Sequence, residues 1–324
     1  MRILVLHSDV AADAPPDEQD TLVQAEAIAQ ALRFGGHVVV QRSFMSDADG
    51  LSALCRSFEL VFNVVEAVDG SGFRAGEAVD FYERLGIAYT GNAGAALSET
   101  CDKVLTKCRL VVAGLPTPPW FVSPDFDGLS EDQRCIVKSL REDASLGLDD
   151  GAVLAGRAAI AARAATCAAA HGGDWFAEAF VDGREFNVAV LEVAGVPLVL
   201  PVAEMRFEAW PAGKPKIVGY TAKWEEHSLA ATHTVRDFAW ADDEPALGAA
   251  LKALTLRAWR IFGLRGYARV DFRVDAVGRV FILEINPNPC LEPGAGFFAA
   301  AGRAGFSYAA MIEKIVGAAL DRGR

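Results

Sequence analysis

Tyr267–Pro289 reads YARVDFRVDAVGRVFILEINPNP, and its two strand-like runs decide how the chain folds. With a period of two, Arg269, Asp271, Arg273 and Asp275 share one face of the first run, while Ala268, Val270, Phe272 and Val274 form the apolar face. In the second run Val280, Ile282, Glu284 and Asn286 fall on one side, and Phe281, Leu283 and Ile285 on the other. The short connection Ala276-Val277-Gly278 predicts a hairpin. If Asp275 pairs with Val280, antiparallel pairing sets Asp271 opposite Glu284 and Arg269 opposite Asn286. Directly opposed side chains stand about 4.5–5.5 Å apart at Cβ, and like charges so placed destabilise a sheet, so something positive belongs between the two carboxylates. Oxygen donors of this kind suit Mg²⁺ or Mn²⁺, with Asn286 adding a neutral oxygen. A solvated hairpin face with ordinary charge pairs is the competing reading.

Upstream of this hairpin the chain first alternates strands and helices. RILVLH, HVVVQRSF, FELVFNVVE and the short IAYTG read as strands, with helices over Asp17–Phe34 and Phe73–Leu85. This pattern predicts a parallel sheet covered by helices. It contains no G-x-G-x-x-G, which argues against a dinucleotide site. CDKVLTKCRLVVAG follows as an amphipathic helix with Val104, Cys108, Val111 and Val112 on its apolar side, stopped by Gly114 and Pro116. The proline-rich LPTPPWFV leads into a second, mostly antiparallel unit. Its parts are the strand RCIVKSL, the turn REDASLGLDD, an alanine-rich helix from Gly151 to about Ala170, and the strands DWFAEAFVDGREFNVAVLE and VPLVLPVAEM. A long irregular stretch covers Arg206–Asp243. A helix over Glu244–Phe262 precedes the hairpin, and one over Ser307–Leu320 closes the chain.

The 324 residues allow two or three compact units, and a hydrophobic fraction of 52% supports a large core. The net charge of −12 makes nucleic acid an unlikely partner, so an anionic substrate needs a local gathering of basic residues. MRILVLHSDV is too short for a signal-peptide core, and no apolar run is long enough to span a membrane. The six cysteines form no C-x-x-C pair, which favours free thiols in a reducing cytoplasm. The five histidines show no zinc spacing.

Several positions carry candidate chemistry. Lys138 sits inside the apolar strand CIVKSL, where an ammonium needs an anion unless it snorkels from an edge. The REDASLG turn after it, with Ser145, could fold over phosphates through backbone N–H groups. Lys103 lies in the first turn of its helix and could reach a phosphate there, whereas Lys107 reads as part of a solvated cationic stripe. Glu178 ends an apolar strand and Glu185 follows the Asp182-Gly183 turn. They could receive an adenine amine and ribose hydroxyls, or be exposed glutamates on a β-hairpin. GYTAKWEEHS places Lys223 in a flexible stretch that is either a lid or a structural loop.

In order and spacing, LGIAYTGNAGAALSETCDKVLTK, GLPTPPW, IVKSLREDASLG, FVDGREFNVAVL, GYTAKW, YARVDFRVD, LEINPNP and AGFSYAAMIEKIV resemble the ATP-grasp superfamily, and within it the D-alanine–D-alanine ligases. The likeness covers most of the chain from VFNVVE onward. It implies an α/β, three-domain ATP-grasp fold: an N-terminal parallel α/β substrate domain over 1–97, then central and C-terminal subdomains over 98–182 and 183–324, whose antiparallel sheets grip ATP. By the same resemblance, Lys103, Lys138 and Ser145 belong to the phosphate site. Glu178, Phe180, Val181 and Leu283 surround adenine, and Glu185 lies at the ribose. Lys223 lies on a mobile loop over the γ-phosphate. Asp271, Glu284 and Asn286 hold the metal, Mg²⁺ or Mn²⁺, and Arg269 stabilises the acyl phosphate and tetrahedral species.

The implied function is an ADP-forming, ATP-dependent carboxylate–amine ligase acting on a small-molecule acid and amine in the cytoplasm, with a homodimer common among similar ligases. A kinase using the same nucleotide half is the alternative chemistry. The amino-acid half departs from the family pattern. HSDVAADAPPDE has no clean match to the His-Gly-Gly start and the glutamate that holds the first substrate's amine. VEAVDGSGFRAGE replaces a histidine-containing loop. NPCLEPGAGF puts Cys290 at a glycine position, with no serine to receive the second substrate's carboxylate. Substrates other than two D-alanines are therefore expected, with a genuine D-alanine–D-alanine ligase as the conservative variant. Cys290 is expected to pack or to line the pocket rather than to act as a nucleophile.

Overall fold

The apolar run after Met1 becomes β1 (Arg2–Ser8), followed by α1 (Pro16–Phe34), β2 (Val38–Phe44), α2 (Leu51–Arg56) and β3 (Leu60–Val64). The strands form a parallel sheet in the order β2-β1-β3. The computed structural model describes residues 1–45, 50–225 and 227–323. Glu226, within the GYTAKWEEHS stretch, lies outside the described residues. Next come α3 (Ala75–Leu85), α4 (Gly94–Cys101) and α5 (Lys103–Val112). The expected strand at IAYTG is reduced to an isolated parallel bridge between Val61 and Tyr89.

The helix expected over Cys101–Gly114 is α5 alone. Asp102 has extended backbone angles and accepts from Leu105 N at 2.9 Å, so it ends α4 and caps α5. The apolar side predicted for α5 is also reversed. Its buried residues are Lys103, Thr106, Lys107 and Leu110, whereas Val111, Val112 and Cys108 are exposed. A binding cleft rather than an apolar core decides which face turns inward.

The second sheet joins β4 (Trp120–Val122), β5 (Cys135–Ser139), β6 (Val153–Leu154) and β7 (Trp175–Ala179) in the antiparallel order β4-β7-β5-β6, with α6 (Arg157–His171) packed on it. β8 (Gly183–Val193) does not pair with β7. It enters a third sheet with β9 (Val196–Val199) and β10 (Ala203–Phe207), so VPLVLPVAEM forms two strands rather than one. The irregular stretch then holds α7 (Tyr220–Trp224), α8 (Leu229–Thr232), β11 (Thr234–Asp237) and α9 (Trp240–Asp243). α10 (Pro245–Ile261), β12 (Tyr267–Asp275), β13 (Val280–Asn286), α11 (Gly296–Arg303) and α12 (Tyr308–Leu320) complete the chain. The path of the third sheet is β11-β10-β8-β12-β13, with β9 on β8.

The hairpin pairs as expected at its far end, with Asp271 opposite Glu284 and Arg269 opposite Asn286. Near the turn the register differs by one: Val280 faces Val274, not Asp275. A β-bulge at Leu283 absorbs the difference. The bulge also breaks the simple alternation of β13, because Ile282 and Ile285 are both in the core while Leu283 leaves it.

One apolar cluster joins the ends of the chain. Ile3, Val5, Ile28 and Leu32 pack with Met311, Ile312, Ile315 and Val316, and Tyr267 belongs to the same cluster. Burial of this kind contributes about 25 cal/mol per Å² of apolar surface, so it fixes the parallel unit over the end of the hairpin. Asn92, 2% exposed, fastens the same junction. Its Nδ2 donates to Tyr267 O at 2.7 Å and Pro287 O at 2.6 Å, and its Oδ1 accepts from Arg265 N at 2.7 Å.

Candidate active site

Two carboxylates and four cations converge at the far end of the hairpin. Asp271, 6% exposed, is held by both nitrogens of a fork: Arg269 Nε lies 2.8 Å from Oδ1 and Nη2 2.8 Å from Oδ2. Asn187 Nδ2 adds a third bond at 2.8 Å. Burial pushes the Asp271 pKa up, with Arg269 opposing. Glu284 gains no hydrogen bond from the described residues. Burial disfavours its charge, yet Lys103, Lys138, Lys223 and Arg269 hold it well below the usual carboxylate range. Among the described residues no cluster of three or more His, Cys, Asp or Glu forms a metal cage. The donors here are two carboxylates and the Asn286 amide, an oxygen set that fits a hard divalent ion keeping part of its water shell. In this structure the positive charge expected beside the carboxylates comes from Arg269 and the lysines.

The lysines come from three elements. Lys103, in the first turn of α5, donates to Glu142 O and Asp143 Oδ1, each at 2.9 Å. Burial works against its charge, but Asp143 and Glu284 raise its pKa. Lys138, inside β5, lies 2.9 Å from Glu178 Oε1. Lys107 is not on a solvated stripe: it is 1% exposed, in contact with the other Glu178 oxygen, and 2.8 Å from Thr117 Oγ1. Burial pulls the Lys107 pKa down, while Glu178 is held low, against burial, by its two ammonium neighbours. One carboxylate between two lysines leaves this buried group with a net positive charge, which a phosphate would balance.

Glu178 and Glu185 are therefore not exposed hairpin glutamates. They flank the crossing from the second sheet to the third, which carries Phe180 and Val181. Glu185 is 9% exposed and pairs with Arg273 Nη2 at 2.7 Å. A cavity of about 390 Å³ borders this crossing, lined by Phe180, Val181 and Phe281 among others.

The REDASLG turn and the segment bearing Lys223 are bonded to each other. Ala144 and Ser145 have φ of 57° and 63°, left-handed values uncommon for residues with a side chain. Such strain persists only where neighbours impose it. Here Ser145 Oγ donates to Val218 O at 3.0 Å, Trp224 Nε1 to Ala144 O at 3.1 Å, and Tyr220 N to Leu148 O at 3.0 Å. These bonds dock the segment bearing Lys223 onto the REDASLG turn. Burial and Arg269 both lower the Lys223 pKa.

A second group of polar contacts joins α1 to the segment after β13. Cys290 Sγ lies 3.1 Å from Asp20 Oδ2 on α1. Burial and the nearby Asp20 and Glu66 push its thiol pKa well above the ordinary value, which disfavours the thiolate. Gln24 Nε2 donates to Glu66 Oε1 at 3.0 Å, and Gln24 Oε1 accepts from Leu291 N at 2.6 Å.

The family model described as D-ala D-ala ligase C-terminus matches residues 132–317, more than half of the chain. A D-alanine–D-alanine ligase from Methylococcus capsulatus is 30% identical over 93% of this chain and 91% of its own. The chain belongs to the D-alanine–D-alanine ligase family. It is an ATP-grasp, ADP-forming carbon–nitrogen ligase, and the family's nucleotide and metal are ATP and Mg²⁺. An uncharacterized protein, y4sG, from Sinorhizobium fredii is 31% identical over 83% of this chain and 77% of its own. The D-alanine–D-alanine ligase of Bacillus anthracis, solved in complex with ATP, superposes with a TM-score of 0.75 over 99% of this chain and 97% of its own. At 18% identity that likeness speaks for the fold alone.

Three structural partners of the site, Lys107, Arg273 and Asn92, are absent from the candidates named in the sequence. Lys107 had a signal, since it lies one helical turn after Lys103. Arg273 had one too, on the same strand face as Asp271. Asn92 had none.

Proposed function

We propose that this chain joins a carboxylic acid to an amine through an acyl phosphate, and that its substrates are not two D-alanines. The observation that carries this reading is the convergence of Lys103, Lys138, Lys223 and Arg269 on Glu284, directly opposite Asp271. In this reading Lys103, Lys138 and the Ser145 turn receive the triphosphate. Glu178, Phe180, Val181 and Leu283 enclose the base, Glu185 takes ribose hydroxyls, and Lys223 covers the γ-phosphate. Asp271, Glu284 and Asn286 would hold Mg²⁺, which when bound neutralises charge on the transferring phosphoryl group.

A substrate carboxylate oxygen bonds to the γ-phosphorus as the bond to the β-phosphate oxygen breaks, releasing ADP. The amine nitrogen then bonds to the acyl carbon, phosphate leaves, and the amine loses a proton. In this reading Arg269 meets the oxyanion that develops at the acyl carbon. Residues 1–97, 98–182 and 183–324 are assigned to the three domains, and the enzyme to the cytoplasm, with a homodimer as its assembly.

The departures from the family motifs at HSDVAADAPPDE, VEAVDGSGFRAGE and NPCLEPGAGF support substrates outside the D-alanine pair. The names of relatives such as the Methylococcus ligase favour a second reading, a genuine D-alanine–D-alanine ligase. Mass analysis of products from ATP, Mg²⁺ and a panel of acids and amines, D-alanine included, decides between them. An amide from another pair, with little D-alanyl-D-alanine, is expected. Efficient formation of D-alanyl-D-alanine would overturn the substrate claim.

A further inference from the structure

Arg273 lies on the site face of β12, two residues beyond Asp271, and is only 3% exposed. It stands directly opposite Glu185 across the β12–β8 pair. Its donors are spread over three parts of the nucleotide cleft. Nη2 bonds Glu185 Oε2 at 2.7 Å and also meets Lys216 O, at the root of the segment that carries Lys223. Nη1 lies 3.3 Å from Gly183 O and 3.5 Å from Val181 O, in the crossing between the two sheets. The guanidinium carbon lies 5.7 Å from the centre of the Phe180 ring.

Burying a guanidinium is expensive unless its donors are used, and here they are used on backbone carbonyls and one carboxylate. A planar fork can hold this geometry and a lysine cannot. Glu185 Oε1 accepts no bond from the described residues, so Arg273 fixes one oxygen and leaves the other for a ligand.

From this geometry we infer that Arg273 is a positioning residue for the nucleotide. It aims the free oxygen of Glu185 at ribose hydroxyls and ties the sheet crossing to the root of the lid. The inference rests on the nucleotide part of the proposed function and is indifferent to the identity of acid and amine.

Calorimetric titration of ATP and of 2′,3′-dideoxy-ATP, each with Mg²⁺, tests it without either substrate. The wild type is expected to prefer ATP by roughly tenfold, the scale of a hydrogen bond to a charged group. Arg273→Met is expected to abolish that preference, as is Glu185→Gln, and the double variant to lose no more than either alone. Arg273→Lys, which keeps the charge but not the fork, is expected to lose most of the preference. Thermal melting confirms that each variant is folded, and Arg273→Lys carries the test if Arg273→Met is not. A folded Arg273→Met, or Arg273→Lys in its place, that leaves the preference intact overturns the positioning role. So does a wild type that binds both nucleotides equally well. A wild type that binds neither sinks the nucleotide reading itself.

Discussion

Asp271 and Glu284 stand directly opposite each other on β12 and β13, and the one-residue bulge at Leu283 makes them partners. Both oxygens of Asp271 are bonded by Arg269, so a metal ion must share or displace that contact. Asp271→Asn is expected to lower Mn²⁺ affinity in the presence of ATP by at least about tenfold. Electron paramagnetic resonance of free Mn²⁺ reads this directly. Unchanged Mn²⁺ binding would remove Asp271 from the metal site.

Glu178 is the only carboxylate in bonding contact with both Lys107 and Lys138 among the described residues. Glu178→Gln would leave two buried ammonium groups without their counter-ion. Breaking a buried pair in this way costs about 3–5 kcal/mol, and urea unfolding is expected to show a loss on that scale. A change under about 0.5 kcal/mol would mean the triad is not buried in solution.

Much of this site was legible because charge is informative where it breaks an apolar period. Asp271 and Glu284 sit in runs otherwise rich in valine, isoleucine and phenylalanine, and Lys138 interrupts CIVKSL. The bulge was not legible, since an extra residue at Leu283 leaves no mark in a period-two pattern. The pairing of Asp271 with Glu284 came out right although the turn-end register was off by one. The face of α5 was misread for a related reason. Apolar spacing assumes an inside that is apolar, whereas α5 turns Lys103 and Lys107 inward toward Asp143 and Glu178. The IAYTG strand failed because Val61 and Tyr89 bridge only once before the chain turns away.

Burial lifts the Glu66 pKa from 4.5 to about 7, with Asp20 adding repulsion. The folded state thus binds the proton more tightly than the unfolded chain. The stabilisation is fully present below about pH 4.5 and is lost as pH rises through about 7. Glu66→Gln carries no such charge. It is expected to exceed the wild type by about 3 kcal/mol at pH 8 and to match it at pH 4, measured by urea unfolding at both values. Equal differences at the two pH values would show that Glu66 is solvated.

Tyr220 Oη donates to Asp17 Oδ1 at 2.9 Å, linking α7 to α1. Tyr220→Phe removes one bond worth about 0.5–1.5 kcal/mol. Protease cleavage between Arg206 and Asp243 is expected to quicken several-fold while the overall melting temperature stays within about 2 °C. Unchanged cleavage would show that the other contacts of α7 suffice.

The central claim is that the cation cluster at Glu284 serves phosphoryl transfer to a carboxylate that an amine then captures. The direct measurement is ADP and phosphate release from ATP with a productive acid labelled with ¹⁸O in its carboxylate, with and without the amine. The expected result is one ADP and one phosphate per amide, with one ¹⁸O carried from the carboxylate into the phosphate. ADP release with no free phosphate, leaving a stable phosphorylated product, would contradict it.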